Sequence, residues 1–313
     1  MLLIETVTIV IPVFLVISLG ALLKKTGLLD DQFLHRTNRL VYVIFLPLLL
    51  FYKISKAEFA AFFNPALIAG SMLAILLAFA LSFSFSTLRR YSAPTKGSFC
   101  QGTFRGNLAY IGLAISLNAY GETGLTNAGI LMGFLVPVLN LFAILSLLLP
   151  QPGTQGRNRL TWLRKILLDP LILASFLGIG WSFLKIPMPL ILDRALGITA
   201  GLTLPLALIA IGGSFSLQRL KGDLQLAGLA SIIKLIGLPL LAAGILVIFG
   251  VTGTDLGIGI ILAGTPAATA TYIMAHQLKG DAELAGSIVM MSTLGSAFSY
   301  TLMLLIFKGT GLL

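Results

Sequence analysis

Gln101-Gly102-Thr103-Phe104-Arg105-Gly106-Asn107-Leu108-Ala109-Tyr110 sets an arginine, an amide and two glycines in the middle of a long apolar stretch. A second stretch, Gly264-Thr265-Pro266-Ala267-Ala268-Thr269-Ala270-Thr271-Tyr272, sets a proline among small and hydroxyl-bearing residues in an equally apolar setting. Pro266 lacks a backbone donor and frees the carbonyl it would have served. At membrane depth, freed backbone groups are tolerated only where they line protein or a wet cavity. Two interrupted membrane helices, facing each other across a solvated chamber, are the reading that decides the fold.

The rest of the chain supports a membrane setting. Of 313 residues, 57% are hydrophobic and 10% charged, and the mean hydropathy is +1.01; soluble domains carry about 25% charged residues. Runs such as 66–85 are continuously apolar, as a helix crossing a hydrocarbon core of roughly 30 Å requires, and lack the alternation of a β-barrel strand. Breaks between the runs predict ten helices near 6–23, 36–52, 65–87, 97–119, 125–149, 168–186, 190–213, 223–249, 255–277 and 283–307. Pro47 is expected to interrupt the second, and the seventh reads as weak around Thr199 to Thr203. The first run lacks a basic leader and is expected to be a retained helix rather than a signal peptide. Cys100, the single cysteine, reads as a small buried apolar residue.

Lys and Arg set the orientation, because cytoplasmic loops retain them. The odd-numbered loops hold fourteen and the even loops with the termini five, which predicts both termini outside the cytoplasm. The polar segment 151–167, with Pro152, Gly153 and Gly156, reads as a cytoplasmic linker between a first five-helix repeat, 1–150, and a second, 168–313. An odd number of crossings per half forces the second half to insert inverted. Internal matches agree with this. At an offset of 162, Gly102-Thr103 and Tyr110-Ile111 fall on Gly264-Thr265 and Tyr272-Ile273; at 158, Leu46-Pro47-Leu48 falls on Leu204-Pro205-Leu206. The expected fold is therefore an all-α integral membrane protein of ten transmembrane helices, two inverted five-helix repeats with broken, crossing helices four and nine.

Interrupted helices at matching positions of two halves point to a transport site. Thr265, Thr269, Tyr272 and His276 fall at helical spacing on one face, as do Thr103, Asn107 and Tyr110. These are expected to be facing stripes at the crossing; the threonines read equally as packing between helices. Arg105 places a permanent charge within a span, at a cost of about 2.5–3.5 kcal/mol or more, and its fork of donors suits a carboxylate. Snorkelling is its alternative. Lys234, at least eleven residues from either end of the eighth helix, is about 16 Å from the nearer one; it reads as a second fixed cation or as a proton carrier. His276 is a further coupling candidate, with simple hydrogen bonding as the alternative. No Asp or Glu falls mid-helix, so two cations without acids point to an anionic substrate. A cation pump is disfavoured, and no metal cluster, Walker or dinucleotide loop, cofactor site, catalytic triad or nucleic-acid patch is evident.

Phe104-Arg105-Gly106-Asn107-Leu108-Ala109-Tyr110-Ile111-Gly112, Thr265-Pro266-Ala267-Ala268 and Gly280-Asp281-Ala282-Glu283-Leu284-Ala285 resemble the auxin efflux carrier family, which includes bacterial malonate and malate permeases. The resemblance covers essentially the whole chain. It implies a bile-acid-transporter-like fold in which helices 1, 2, 6 and 7 form a scaffold and helices 3–5 and 8–10 a mobile transport domain. It also implies a crossover of helices 4 and 9, elevator-type movement and homodimers through the scaffold. The expectation is a permease of the inner (plasma) membrane, not an enzyme and without cofactor. It would carry a mono- or dicarboxylate bound by Arg105, Asn107, Tyr110, Thr265, Pro266, Thr269 and Tyr272, coupled to protons ahead of sodium. The alternatives are a membrane ligand sensor that does not transport and a channel-like anion pathway.

Overall fold

The computed structural model describes residues 2–58, 62–151, 168–215, 220 and 223–311. The expected linker lies almost wholly outside the described residues. The helices are α1 (Leu2–Lys25), α2 (Asp31–Lys56), α3 (Pro65–Leu88), α4 (Ala93–Phe104), α5 (Leu108–Leu148), α6 (Pro170–Phe183), α7 (Leu190–Gly213), α8 (Leu224–Ile248), α9 (Gly253–Ala263), α10 (Thr269–Gln277) and α11 (Ala282–Gly309). Among the described residues there is no strand, only one isolated antiparallel bridge between Gly106 and Ala267.

Seven of these helices, α1, α2, α3, α5, α7, α8 and α11, are long and apolar enough to cross a membrane, and α6 and α9 are shorter apolar helices. The expected fourth helix is α4 followed by the first part of α5; the expected ninth is α9 followed by α10. Within α5, Gly121 adopts φ 63° and ψ −154°, a left-handed backbone that glycine enters without a Cβ penalty. The expected fourth and fifth helices part at that kink. Outward-facing side chains stay apolar at mid-helix, with Leu81 62% and Ile198 78% exposed, as lipid contact requires.

Helix starts follow local chemistry. Asn64-Pro65 and Asp169-Pro170 join an N-cap acceptor to a proline at the first helical position; the side chains accept from Leu67 N at 3.0 Å and Leu171 N at 2.9 Å. Asp281 caps α11 through Leu284 N at 2.9 Å.

Two expectations fail here. Pro47 does not interrupt the second helix: a π-helical turn at Val41–Phe45 precedes it, and this local widening absorbs the missing donor so that α2 runs on. The seventh helix is likewise continuous through Thr199 to Thr203.

α2 lies along α6 and α7, and α1 along α7; α3, α4, α5, α8, α9, α10 and α11 pack on one another, and the two sets meet where α1 lies on α11 and where α5 lies on α1, α2 and α6. Backbones touch at small residues: a Cβ on Gly20 would stand 2.2 Å from Ile209 O, and one on Gly178 3.2 Å from Phe51 O. Gly178 follows Gly20 by 158 residues and Ile209 follows Phe51 by 158. Thr203 Oγ1 donates to Phe45 O at 3.2 Å, and these two residues are also separated by 158.

Candidate functional site

The two breaks meet. α4 ends at Phe104, Arg105 and Asn107 take non-helical angles (ψ 95° and 66°), and α5 starts at Leu108. α9 ends at Ala263, Pro266 follows, and α10 starts after Ala268 (ψ 142°). Asn107 N donates to Pro266 O at 2.8 Å and Ala268 N to Arg105 O at 3.0 Å, so each break supplies the partner that the other has lost. Ala267 N donates to Ser292 Oγ of α11 at 3.0 Å. Gly106 is required at this contact, because a Cβ there would lie 2.0 Å from Thr265 Oγ1.

This geometry corrects two expectations. The breaks are in direct contact rather than facing across a chamber. The stripe of Thr265, Thr269, Tyr272 and His276 assumed one helical phase, but residues 264–268 are not helical, so Thr265 belongs to the break and the others to α10.

Helix ends converge with opposite polarity. The N-terminal ends of α5 and α10 open at the breaks, where the partial charge is positive; the C-terminal ends of α4 and α9 close there, where it is negative. The end of α9 is served by side chains: Tyr300 Oη donates to Ile261 O at 2.9 Å, Thr265 Oγ1 to Leu262 O at 2.8 Å and Lys234 Nζ to Ala263 O at 2.7 Å. At α5, Asn107 Oδ1 accepts from Tyr110 N at 3.3 Å and caps the half-helix.

Arg105 Nη2 donates to Asn140 Oδ1 at 2.8 Å and Nη1 contacts Met274 Sδ. Both partners are neutral. Among the described residues no carboxylate pairs with Arg105 directly, and Asp169 is engaged by Tyr42, whose Oη donates to Asp169 Oδ2 at 2.6 Å. Tyr110 Oη donates to Asn38 O of α2 at 3.3 Å. Arg105, Asn107, Thr265 and Pro266 thus gather at the crossing, with Lys234 beside them. Tyr110 reaches across to α2, and Thr269 and Tyr272 lie half-buried on α10. His276 is exposed in the last turn of α10, away from the breaks.

Sequence reasoning missed Asn140 and Asp169. Asn140 carried the same signal as Asn107, a lone amide in an apolar run. Asp169 was legible as a helix cap, but its burial at 8% exposure depends on the packing of α6 against α2. A cavity of about 480 Å³ lies off the crossing, between α1, α2, α7 and the part of α5 near Asn118, and is walled in part by Lys53 and Glu122. These two pair at 2.6 Å. None of the expected site residues lines that cavity.

The family model described as "Membrane transport protein" matches residues 6–159 and 156–304. An "Uncharacterized transporter" of Methanothermobacter thermautotrophicus is 24% identical over 294 residues, spanning 94% of this chain and 95% of that protein. A Rhizobium meliloti protein named "Putative malonate transporter" is 24% identical over 314 residues, spanning 98% of both chains. Auxin efflux carrier component 6 of Arabidopsis thaliana is 27% identical over 139 residues, 42% of this chain and 24% of that protein. With apolar helices throughout and a family match over nearly its whole length, the chain is a multi-pass membrane protein that belongs to the membrane transport protein family, that of the auxin efflux carriers.

Proposed function

We propose that this chain is a secondary carrier of a small organic anion, a mono- or dicarboxylate, bound at the paired breaks and moved by elevator-type alternating access. One observation carries the reading: the N-terminal ends of α5 and α10 meet at the joined breaks, from which Arg105 extends its guanidinium to the neutral Asn140 and Met274, while the negative end of α9 is already served by Lys234. What is left over is two positive helix ends and the charge of Arg105 against the one negative end of α4. Helix N-termini favour anions, and an arginine held by neutral acceptors keeps donors for a carboxylate. Asn107, Tyr110, Thr265, Pro266, Thr269 and Tyr272 shape the pocket around the anion.

In this reading α3, α4, α5 and α8 to α11 move as one body against a scaffold of α1, α2, α6 and α7, through which two copies pair. The most extensive scaffold contacts, α2 on α6 and α1 on α7, fall within the scaffold itself, and the contacts of α1 with α11 and of α5 with α1, α2 and α6 are the surface along which the two bodies would slide. The contacts at a spacing of 158 residues support two inverted repeats, since residues related by a twofold axis meet where the axis passes. The chain sits in the inner membrane with both termini outside, and protons supply the coupling.

The name of the Rhizobium meliloti relative makes malonate the first anion to try. The test is a thermal-shift screen of mono- and dicarboxylates on purified protein, then uptake into proteoliposomes under imposed pH or sodium gradients. Saturable, gradient-driven uptake is expected. A ligand-induced shift without uptake would replace the carrier with a sensor, and flux that never saturates would replace it with a channel.

A further inference from the structure

Lys234 has no exposed surface. It sits in a π-helical turn of α8, Ile233–Gly237, just ahead of Pro239, and its Nζ reaches Ala263 O at 2.7 Å. Ala263 is the last residue of α9, where carbonyls lose their helical donors. The ammonium also lies against the other break, since a Cβ on Gly106 would be 3.3 Å from Nζ. Among the described residues no acid pairs with it. Asp255, on α9 itself, is engaged by Asn64 and Asn127 at 2.7 and 2.5 Å, and Asp223 caps the start of α8.

A buried cation without a carboxylate needs another source of negative potential. The end of α9 provides it, and three successive carbonyls there, those of Ile261, Leu262 and Ala263, each receive a side-chain donor. Of the three donors only Lys234 brings a full charge. Carbonyls at the C-terminal ends of interrupted helices are also the groups with which carriers bind a dissolved monovalent cation.

We infer that Lys234 is a resident cation: its ammonium fills the carbonyl position at the end of α9 that an inorganic monovalent ion would otherwise occupy, and it ties α8 to both breaks. The crossing then needs no sodium to hold its shape. This deepens the carrier reading and rests on it only for the uptake measurement.

The test is thermal unfolding of purified protein in sodium, lithium, methylammonium or choline chloride at equal ionic strength, for wild type, Lys234→Ala and Lys234→Met. Wild type is expected to show no saturable shift with any of these ions. Lys234→Ala, which vacates the position, is expected to melt lower in choline and to recover saturably with a small cation; Lys234→Met, which fills the space without charge, is expected to melt lower and not recover. Uptake in Lys234→Met is expected to fall by roughly tenfold to a hundredfold, the factor for leaving a buried carbonyl without its donor. The inference is overturned by sodium-specific stabilisation of wild type, by a Lys234→Ala protein indifferent to every small cation, or by a Lys234→Met protein with wild-type melting and uptake. Should neither variant fold, the wild-type cation series still decides. If no carboxylate is taken up by wild type, the carrier reading fails while the melting series continues to judge Lys234.

Discussion

Gly106→Ala tests whether the two breaks are locked together. The new Cβ would stand 2.0 Å from Thr265 Oγ1, against the 3.0 Å below which real Cβ atoms are essentially never found. The hydroxyl has little freedom to turn away, because it donates to Leu262 O at 2.8 Å and Thr265 Cβ is itself 3.3 Å from the new methyl. The breaks must therefore separate, which stretches the bonds from Asn107 N to Pro266 O and from Ala268 N to Arg105 O, now 2.8 and 3.0 Å. Overpacking of this kind costs about 1–3 kcal/mol, and losing one bridging bond adds about 1–3 kcal/mol for the buried group left unpaired. Thr265→Ala removes the clashing oxygen, so in the Gly106→Ala background it should restore part of the loss, giving a coupling of about 0.5–3 kcal/mol between contacting residues. The assay is a double-mutant cycle of denaturant unfolding in detergent. Strict additivity, or a Gly106→Ala protein as stable as wild type, would refute the packing argument.

Asn140→Asp sets a carboxylate against Arg105 in place of the amide oxygen now 2.8 Å from Nη2; unfolding should be unimpaired while carboxylate-dependent stabilisation is lost, as read by thermal shift with and without malonate. Gly212→Ala drives a Cβ to 1.8 Å from the backbone oxygen of Ile17, whereas Gly201 on the same helix has nothing within 4 Å. The first should lose about 3 kcal/mol or the folded protein altogether, and Gly201→Ala should be neutral or gain up to about 1 kcal/mol; monodisperse yield on size exclusion separates them. Glu122→Gln breaks the ion pair with Lys53, but the glutamate side chain is 68% exposed, so unfolding should shift by no more than about 1 kcal/mol and less at high salt.

The spans were legible because apolar run length is a local property, and the positions of the two breaks because Arg105 and Pro266 cannot sit in an ordinary lipid-facing helix. Their meeting was not legible in detail. The bond from Asn107 N to Pro266 O joins distant parts of the chain, and helical periodicity carried across Pro266 put Thr265 on a face it does not share. Pro47 misled in the other direction: it lies within a continuous helix, and the π turn before it shows how the chain accommodates it. The partners of the buried charges depend on packing between helices. Lys234 finds a carbonyl on α9, Arg105 an amide on α5, and Asp169 a tyrosine on α2.

The proposed carrier function requires that a carboxylate be held by Arg105 at the joined breaks. Equilibrium binding of radiolabelled malonate to purified wild type and Arg105→Ala, with circular dichroism and melting to verify folding, tests it most directly. Loss of one partner of a buried charged pair costs about 2–5 kcal/mol, so a folded Arg105→Ala protein should bind at least about thirtyfold more weakly. Saturable binding with wild-type affinity in that variant would contradict it.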